Sequence, residues 1–512
     1  MEDLFNLIKL LDKKERAHFR KYVSDKESVY LQLFEAFSTQ KKVNETLAFS
    51  KLSLKENKTN KAVIKNYLYN QLVASLVDYQ QYRVPDLISY RYLESAKMLY
   101  EKGLFNQSHK FLKRALKDAE EQENYEFITA IFNYWQNMEY ALLGHSSLKN
   151  IEDFEKKRRA FNEKYFFLNN IKYVYGRAFF LSRISQLRIT ESEMSEYNAM
   201  LDHPVLLEKP AYDSTLILHY YYGAKCIIYN GLNDYKKAYI YAKYWYNNWM
   251  ADKELIKIHE NDFINALQII NDTIFNNFSF DLYDEVIQFN YDNFLISIAS
   301  KARIEFILAN SKIKYYNKFA LYEKLEQEID KEVNYFNNNH YFIGIDMKLK
   351  YAGTYMISYF VIGKIDNSLL WLQKVKEWNK DLKREDLQNF YAFFEMLIIL
   401  EINQIVLLRN KAKTVYQYFY QKRQLRPIEK DLLLCLKKAS IIATRQSVHE
   451  FYKETYNVLA KYKNDGQQQY WFKYFNFWAW FESKVQNVTY KDFIKAIVAE
   501  KGVHKSYNTA DI

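Results

Sequence analysis

Apolar residues recur at three- and four-residue spacing along almost the whole chain, the period of helices with one buried face. The pattern is sharpest between Tyr92 and Ala115. There Tyr92, Ser95, Ala96 and Leu99 share a helical face, Gly103 breaks the helix, and Phe105, Ser108, Leu112 and Ala115 mark the buried face of the next. The small residues Ala96 and Ser108 fall where the two helices should approach most closely. Weaker copies begin at Tyr235/Ala238 (after Tyr222, Cys226 and Tyr229), at Tyr283/Val286, and at Ile365/Ser368 after Tyr359 and Gly363. The steps from Phe105 are 130, 48 and 82 residues, which fit three, one and two units of about 40. Filling the gaps predicts further hairpins turning near Gly144–Ser147, Glu191–Met194, Asn317–Leu321 and Arg409–Lys411, about eight in all.

The flanks read differently. Leu4, Leu7, Ile8 and Leu11 predict a short helix, and Asp12 with Glu15 forms a capping box for a second, which carries Phe19 and Tyr22 on its apolar face. A helix near Tyr30–Phe37, a polar loop SLKENKTNK, and a helix through Val63, Tyr67, Leu68, Leu72 and Leu76 lead to a boundary at Pro85. Beyond about residue 430, a helix at Leu432–Ile442 precedes one through Phe451, Tyr456 and Leu459, ended by Asn464-Asp465-Gly466. Nine of the twelve residues from Tyr470 to Phe481 are aromatic, a segment that must be enclosed by neighbours or covered by a partner. Enclosure within a C-terminal cap is the simpler expectation. Thr489 with Asp492 starts a last helix that Gly502 stops.

The arrangement of large aromatic, small residue, turn glycine, aromatic, small residue, bulky residue and alanine resembles a tetratricopeptide (TPR) repeat, although the unit here is longer. The opening LIKLLDKKERAHFRKY and the later IKNYLYNQLVASL resemble TPR-like proteins of Bacteroidota bacteria, a resemblance that implies no activity. The expected organisation is an N-terminal helical cap at 1–88, TPR-like repeats at 89–430, an aromatic-rich cap at 431–502 and a mobile tail at 503–512. The expected fold is an all-α, TPR-like α-solenoid of about eight degenerate hairpins.

Composition agrees with helices. Only 10 glycines and 4 prolines serve 512 residues, too few for the many turns of a sheet protein. Two cysteines, Cys226 and Cys435, sit in apolar helical surroundings and read as small core residues. The N-terminus lacks the basic start and unbroken apolar run of a signal peptide, and Glu395, Glu401, Asn403 and Gln404 interrupt the most apolar stretch, Phe394–Leu408. A soluble, cytoplasmic protein is expected. The net charge of +11 comes mostly from lysine, with 16 arginines among 73 basic residues, and accompanies abundant Asn, Tyr, Ile and Phe, as AT-rich codons produce.

Reactive chemistry has little foothold. No two glycines are closer than eight residues, which excludes a phosphate-cradling or dinucleotide loop. The nine histidines are scattered, and His259-Glu260 with Asp262 is the nearest approach to a metal cluster. No nucleophile motif surrounds a serine, and none surrounds Cys435 or His449. No cofactor, metal or catalytic residue is expected. Basic patches at Lys13, Lys14, Arg16, Arg20 and Lys21 and at Lys156–Arg159 read as solvated helix faces.

The reading that follows is a non-enzymatic scaffold holding a protein or peptide on its inner surface. In TPR-like folds the first helix of each hairpin lines that surface, which implies partner-binding roles for Tyr90, Leu93, Lys97 and Tyr100, for Tyr220, Ile227 and Asn230, and for Lys350, Ile357 and Phe360. This set suits a peptide with apolar anchors and some acidic character. The alternative is a nucleic-acid-associated repeat protein using its lysines.

Overall fold

The computed structural model describes residues 2–23, 28–40, 43–50, 52, 61–80, 85–141, 148–184, 190–295, 297–382, 385–421, 426–438, 445–462 and 474–502. Among them the regular elements are α-helices and short 3₁₀ turns and no strand occurs, so the protein is all-α. The chain divides into two compact units, Met1–Phe166 and Phe167–Ile512. The division falls inside a 37-residue helix, Leu148–Ile184, within the span expected to be one continuous run of repeats.

In the first unit, α1 (Glu2–Leu10), α2 (Lys13–Tyr22), α3 (Val29–Ser38), α4 (Glu45–Ser50) and α5 (Lys61–Gln80) close around Ile8, Phe19, Leu33, Phe34, Phe37 and Leu68. Asp12 and Glu15 form the expected capping box. Tyr22, expected on the apolar face, is exposed. In the N-terminal basic patch Lys13, Lys14 and Lys21 are exposed, whereas Arg16 donates to the carbonyls of Ile8, Lys9 and Leu11 at the end of α1 and Arg20 pairs with Glu35 at 2.6 Å.

Next come α6 (Pro85–Glu101), α7 (Phe105–Glu121) and α8 (Tyr125–Ala141), followed by α9 (Leu148–Ile184). Helix α6 runs through the cap boundary expected at 88/89. Ala96, Leu112, Ala115 and Ile131 are fully buried between these helices, and the Ser108 hydroxyl donates to the Ala96 carbonyl at 2.7 Å. Such an approach leaves no room for a larger side chain. Ala96→Leu should therefore cost about 2 kcal/mol by overpacking; an unchanged denaturation midpoint would mean that the seam lies elsewhere.

The second unit continues from α9 with α10 (Glu191–Leu201), α11 (Pro204–Leu207), α12 (Thr215–Gly231), α13 (Tyr235–Ala251), α14 (Glu254–Ile258), α15 (Glu260–Asn277), α16 (Asp281–Gln288), α17 (Ile298–Lys318) and α18 (Tyr322–Asn339). It ends with α19 (Ile345–Val361), α20 (Ile365–Leu382), α21 (Glu385–Glu401), α22 (Ile405–Gln421), α23 (Pro427–Lys438), α24 (Arg445–Ala460), α25 (Phe477–Val485) and α26 (Tyr490–Lys501). Helix α23 runs through the boundary expected at 430/431.

One turn recurs throughout. A residue with positive φ follows the helix, and the next amide reaches back five residues to a carbonyl: Leu104 to Leu99, Asp234 to Tyr229, Leu321 to Tyr316, Lys364 to Tyr359 and Gln404 to Ile399. Glycine holds the left-handed position at 103 and 363, whereas Asn233, Ala320 and Asn403 hold it elsewhere. The turn expected near Asn317–Leu321 is present. That expected at Arg409–Lys411 lies in the middle of α22, because the chain turns earlier at Asn403. Glu191–Met194 is not a turn but the first turn of α10, capped by Thr190 and Glu193. The Gly144–Ser147 turn, the 53–60 part of the polar loop, the 464–466 turn, the aromatic positions 470–472 and the 503–512 tail lie outside the described residues, as do 439–442 of the helix expected to 442.

In the described part of the aromatic segment, 474–481, every ring but that of Tyr474 is enclosed, and Tyr474 is exposed. Phe475, Phe477, Trp478, Trp480 and Phe481 are buried, and the Trp480 indole donates to Glu401 of α21 at 3.1 Å. Thr489 caps α26, and Gly502 ends it with φ 80°.

Candidate functional site

The first-helix positions separate into an accessible set and a packed set. In the first unit, Tyr90 is 48% exposed, with its ring against Phe127 of α8. Lys97 pairs with Glu94 at 2.7 Å and lies over the Tyr134 ring, and Tyr100 meets Phe105 and Tyr134 edge-on. Leu93 is core, 4% exposed.

In the second unit, Tyr220, Ile227 and Phe360 are buried and line no open surface. The cause at Tyr220 is α9. Its last turns bring Lys172 and Tyr175 over the Tyr220 ring and reach on to the start of α19, where Arg183 pairs with Asp346 at 3.1 Å. Phe360 is covered by Phe394 and Phe475. Ile357 is half-buried against the same core. Part of the surface expected to face a partner is thus occupied by the protein itself.

Polar groups tie helices α12, α15, α17 and α19 side by side. Asn230 donates to Thr273 at 2.7 Å, Ser311 to Asn271 at 2.6 Å, Asn317 to Ser358 at 2.7 Å and Ser300 to Glu260 at 2.6 Å. Each pair is 40 to 43 residues apart, the length of the unit read from the sequence. Buried polar groups with matched partners fix the register between helices, since shifting one helix would strand them all.

At the centre of this row, Asp272 accepts from Lys314 at 3.1 Å and from Lys350. Burial works to raise its pKa, but the two ammonium groups outweigh that and hold the carboxyl well below the usual carboxylate range. Lys350 is pushed down to about 8, first by burial and then by the neighbouring cations, against the pull of Asp272. Nearby, Lys318 lies 3.5 Å from the Phe278 ring centroid and is pushed down to about 7 by burial and by Lys314. Across helices α12, α15, α17 and α19 eight lysines and arginines stand against five aspartates and glutamates, so the row carries excess positive charge.

Beside it, a cavity of ≈250 Å³ opens between the end of α9 and helices α15, α17 and α19. Arg183, Arg303, Asp346, Asn265 and Gln268 supply its polar wall. Arg303 donates to the side-chain oxygens of Asn261 and Asn265 at 2.6 and 3.1 Å, and among the described residues no carboxylate lies within ion-pair distance of it. The Tyr351 hydroxyl, acted on by the charges of Asp272, Arg303 and Asp346, is buried and has no hydrogen-bond partner among the described residues.

None of these cavity groups was singled out from sequence. A signal existed in polar residues such as Asn271 and Ser311 recurring one unit apart inside apolar helices. Cys226 is fully buried, and burial pushes its thiol up to about 12; Cys435 is half-buried. Among the described residues no group of three His, Cys, Asp or Glu side chains is placed to hold a metal, and no helix is long and apolar enough to cross a membrane. Compared with known proteins, the chain matches no family model, no curated protein and no solved structure.

Proposed function

We propose that the chain is a TPR-like helical-repeat scaffold that binds an acidic polypeptide segment along the first-helix row of the second unit. The single observation carrying this reading is the row itself. It is a register-locked set of helices with excess positive charge that already accepts one helix, the end of α9, across it. The 40–43-residue spacing of its polar ties and the recurrent turn support a repeat architecture. A surface that holds one polypeptide helix through aromatic and charged groups is chemically suited to a second segment, and Asp272 with Lys314 and Lys350 marks where that segment's carboxylates would lie.

A photo-crosslinking residue at Ile357, beside Lys350 on α19, tests the reading in the native host, with Tyr244 on the exposed side of α13 as control. One polypeptide should be captured from position 357 and not from 244, and a synthetic acidic segment of it should bind the purified chain. Capture of nucleic acid instead, or equal capture from both positions, would overturn the proposal.

A further inference from the structure

Helix α5 carries apolar residues on both of its sides, and the protein covers only one of them. Ile64, Leu68 and Leu72 pack into the core formed with α2 and α3. On the other side Val63, Tyr67, Tyr69, Val73 and Val77 are each 39% to 60% exposed. At 100° per residue, an arc of about 120° centred on Asn70 and running from Tyr67 to Val73 contains no charged residue. The three charges of the helix lie off this arc and are engaged within the chain. Lys61 sits over the Phe49 ring, Lys65 pairs with Glu45 at 2.7 Å, and Asp78 meets the His18 imidazole at 3.2 Å. The solvent side of a helix ordinarily carries charge, whereas valine and tyrosine without charge are what the centre of an interface presents.

The spacing along the arc points to the occupant. Val63, Asn66, Asn70, Val73 and Val77 follow one another at three, four, three and four residues, the repeat by which two helices pair. Val63, Asn70 and Val77 hold equivalent positions in that repeat, where β-branched residues favour two strands and an asparagine fixes the register. A twofold axis sets Asn70 against Asn70 and valine against valine, whichever way the two helices run. Charge agrees. The chain carries a net +11, so two copies repel one another except where a face is uncharged. An acidic polypeptide or a nucleic acid would find no cation on this arc. We propose that α5 is a homodimer interface, its open side covered by the α5 of a second copy. One pair of helices over about 21 Å is a small contact beside the roughly 800 Å² per partner of a standard interface, so the dimer should dissociate in the micromolar range. The interface belongs to the first unit and does not depend on the scaffold reading of the second.

Sedimentation velocity of the full chain over about 1–100 µM tests the inference, and a dimer should dominate at the upper end. Val77 is more than half exposed, so Val77→Glu leaves the core of the chain untouched. It should weaken association at least about hundredfold, because it buries a carboxylate in the seam. Met98→Glu, at an equally exposed position on α6, should associate like the native chain. A second measurement locates the contact. In a Cys435→Ala background, Asn70→Cys should form an interchain disulfide on mild oxidation, because the two copies of position 70 meet, and Met98→Cys should not. A monomer over the whole range, native-like association of Val77→Glu, weakened association of Met98→Glu, or a disulfide no more frequent at position 70 than at 98 would each overturn the inference.

Discussion

Gly223→Ala should lower the stability of the protein by about 3 kcal/mol, at the upper end of what overpacking costs. Gly223 lies in α12, the most completely buried helix, where almost every residue from Leu216 to Ile228 is enclosed. A β-carbon there would fall 2.6 Å from the Trp245 ring and 2.7 Å from the Tyr175 ring. Trp245 is fully buried and tied by its indole N–H to His219, so it cannot swing aside. Helix propensity argues the opposite way, because replacing an interior glycine by alanine is worth about 1 kcal/mol of added stability. The sign of the change therefore discriminates. A lowered midpoint in denaturant shows that α9, α12 and α13 meet at this glycine. A raised midpoint shows that the helices stand further apart and that glycine weakens α12 without serving it.

The same close approach shows which features were legible in the sequence. Local signals read correctly: the capping box at Asp12, the start of α26 at Thr489, the turn glycines Gly103 and Gly363, and the small pair Ala96 and Ser108. Each depends on residues a few positions apart, where backbone chemistry dominates. The turn at Asn403 was missed because asparagine tolerates the left-handed conformation without announcing it as glycine does. Tyr220 and Phe360 have the composition of binding anchors, but what covers them comes from 45 and 115 positions away, from Tyr175 of α9 and from Phe475. Helical periodicity tells which face of a helix is apolar; it does not tell which distant segment lies on that face. The cavity is hidden for the same reason, since Arg183 and Arg303 share a wall only because α9 ends against α17 and α19.

Acidification should weaken the second unit well before its carboxylates titrate, and His219 should be the cause. Its ring is fully buried, and its Nδ1 accepts from the indoles of both Trp245 and Trp249, at 2.9 and 3.1 Å. This assignment puts the proton on Nε2, which has no partner among the described residues. Protonating Nδ1 would set an N–H against two other N–H groups in an apolar enclosure. Burial, with the nearby charges of His259 and Lys172, accordingly depresses the pKa well below the ordinary histidine value. The unfolded chain takes up a proton near pH 6.5 that the folded chain refuses, so stability is full above that pH and falls below it. The slope is about 1.4 kcal/mol per pH unit until the folded-state pKa is reached. His219→Gln removes the titration while leaving an amide oxygen to accept from the two indoles. Denaturant melts of the native and variant chains should therefore differ in their pH dependence, with the stability gap moving in favour of the variant by about 2 kcal/mol between pH 7 and pH 5. A gap that stays constant over this range would mean that His219 binds its proton equally in the folded and unfolded chains, and that the two indoles do not hold it neutral.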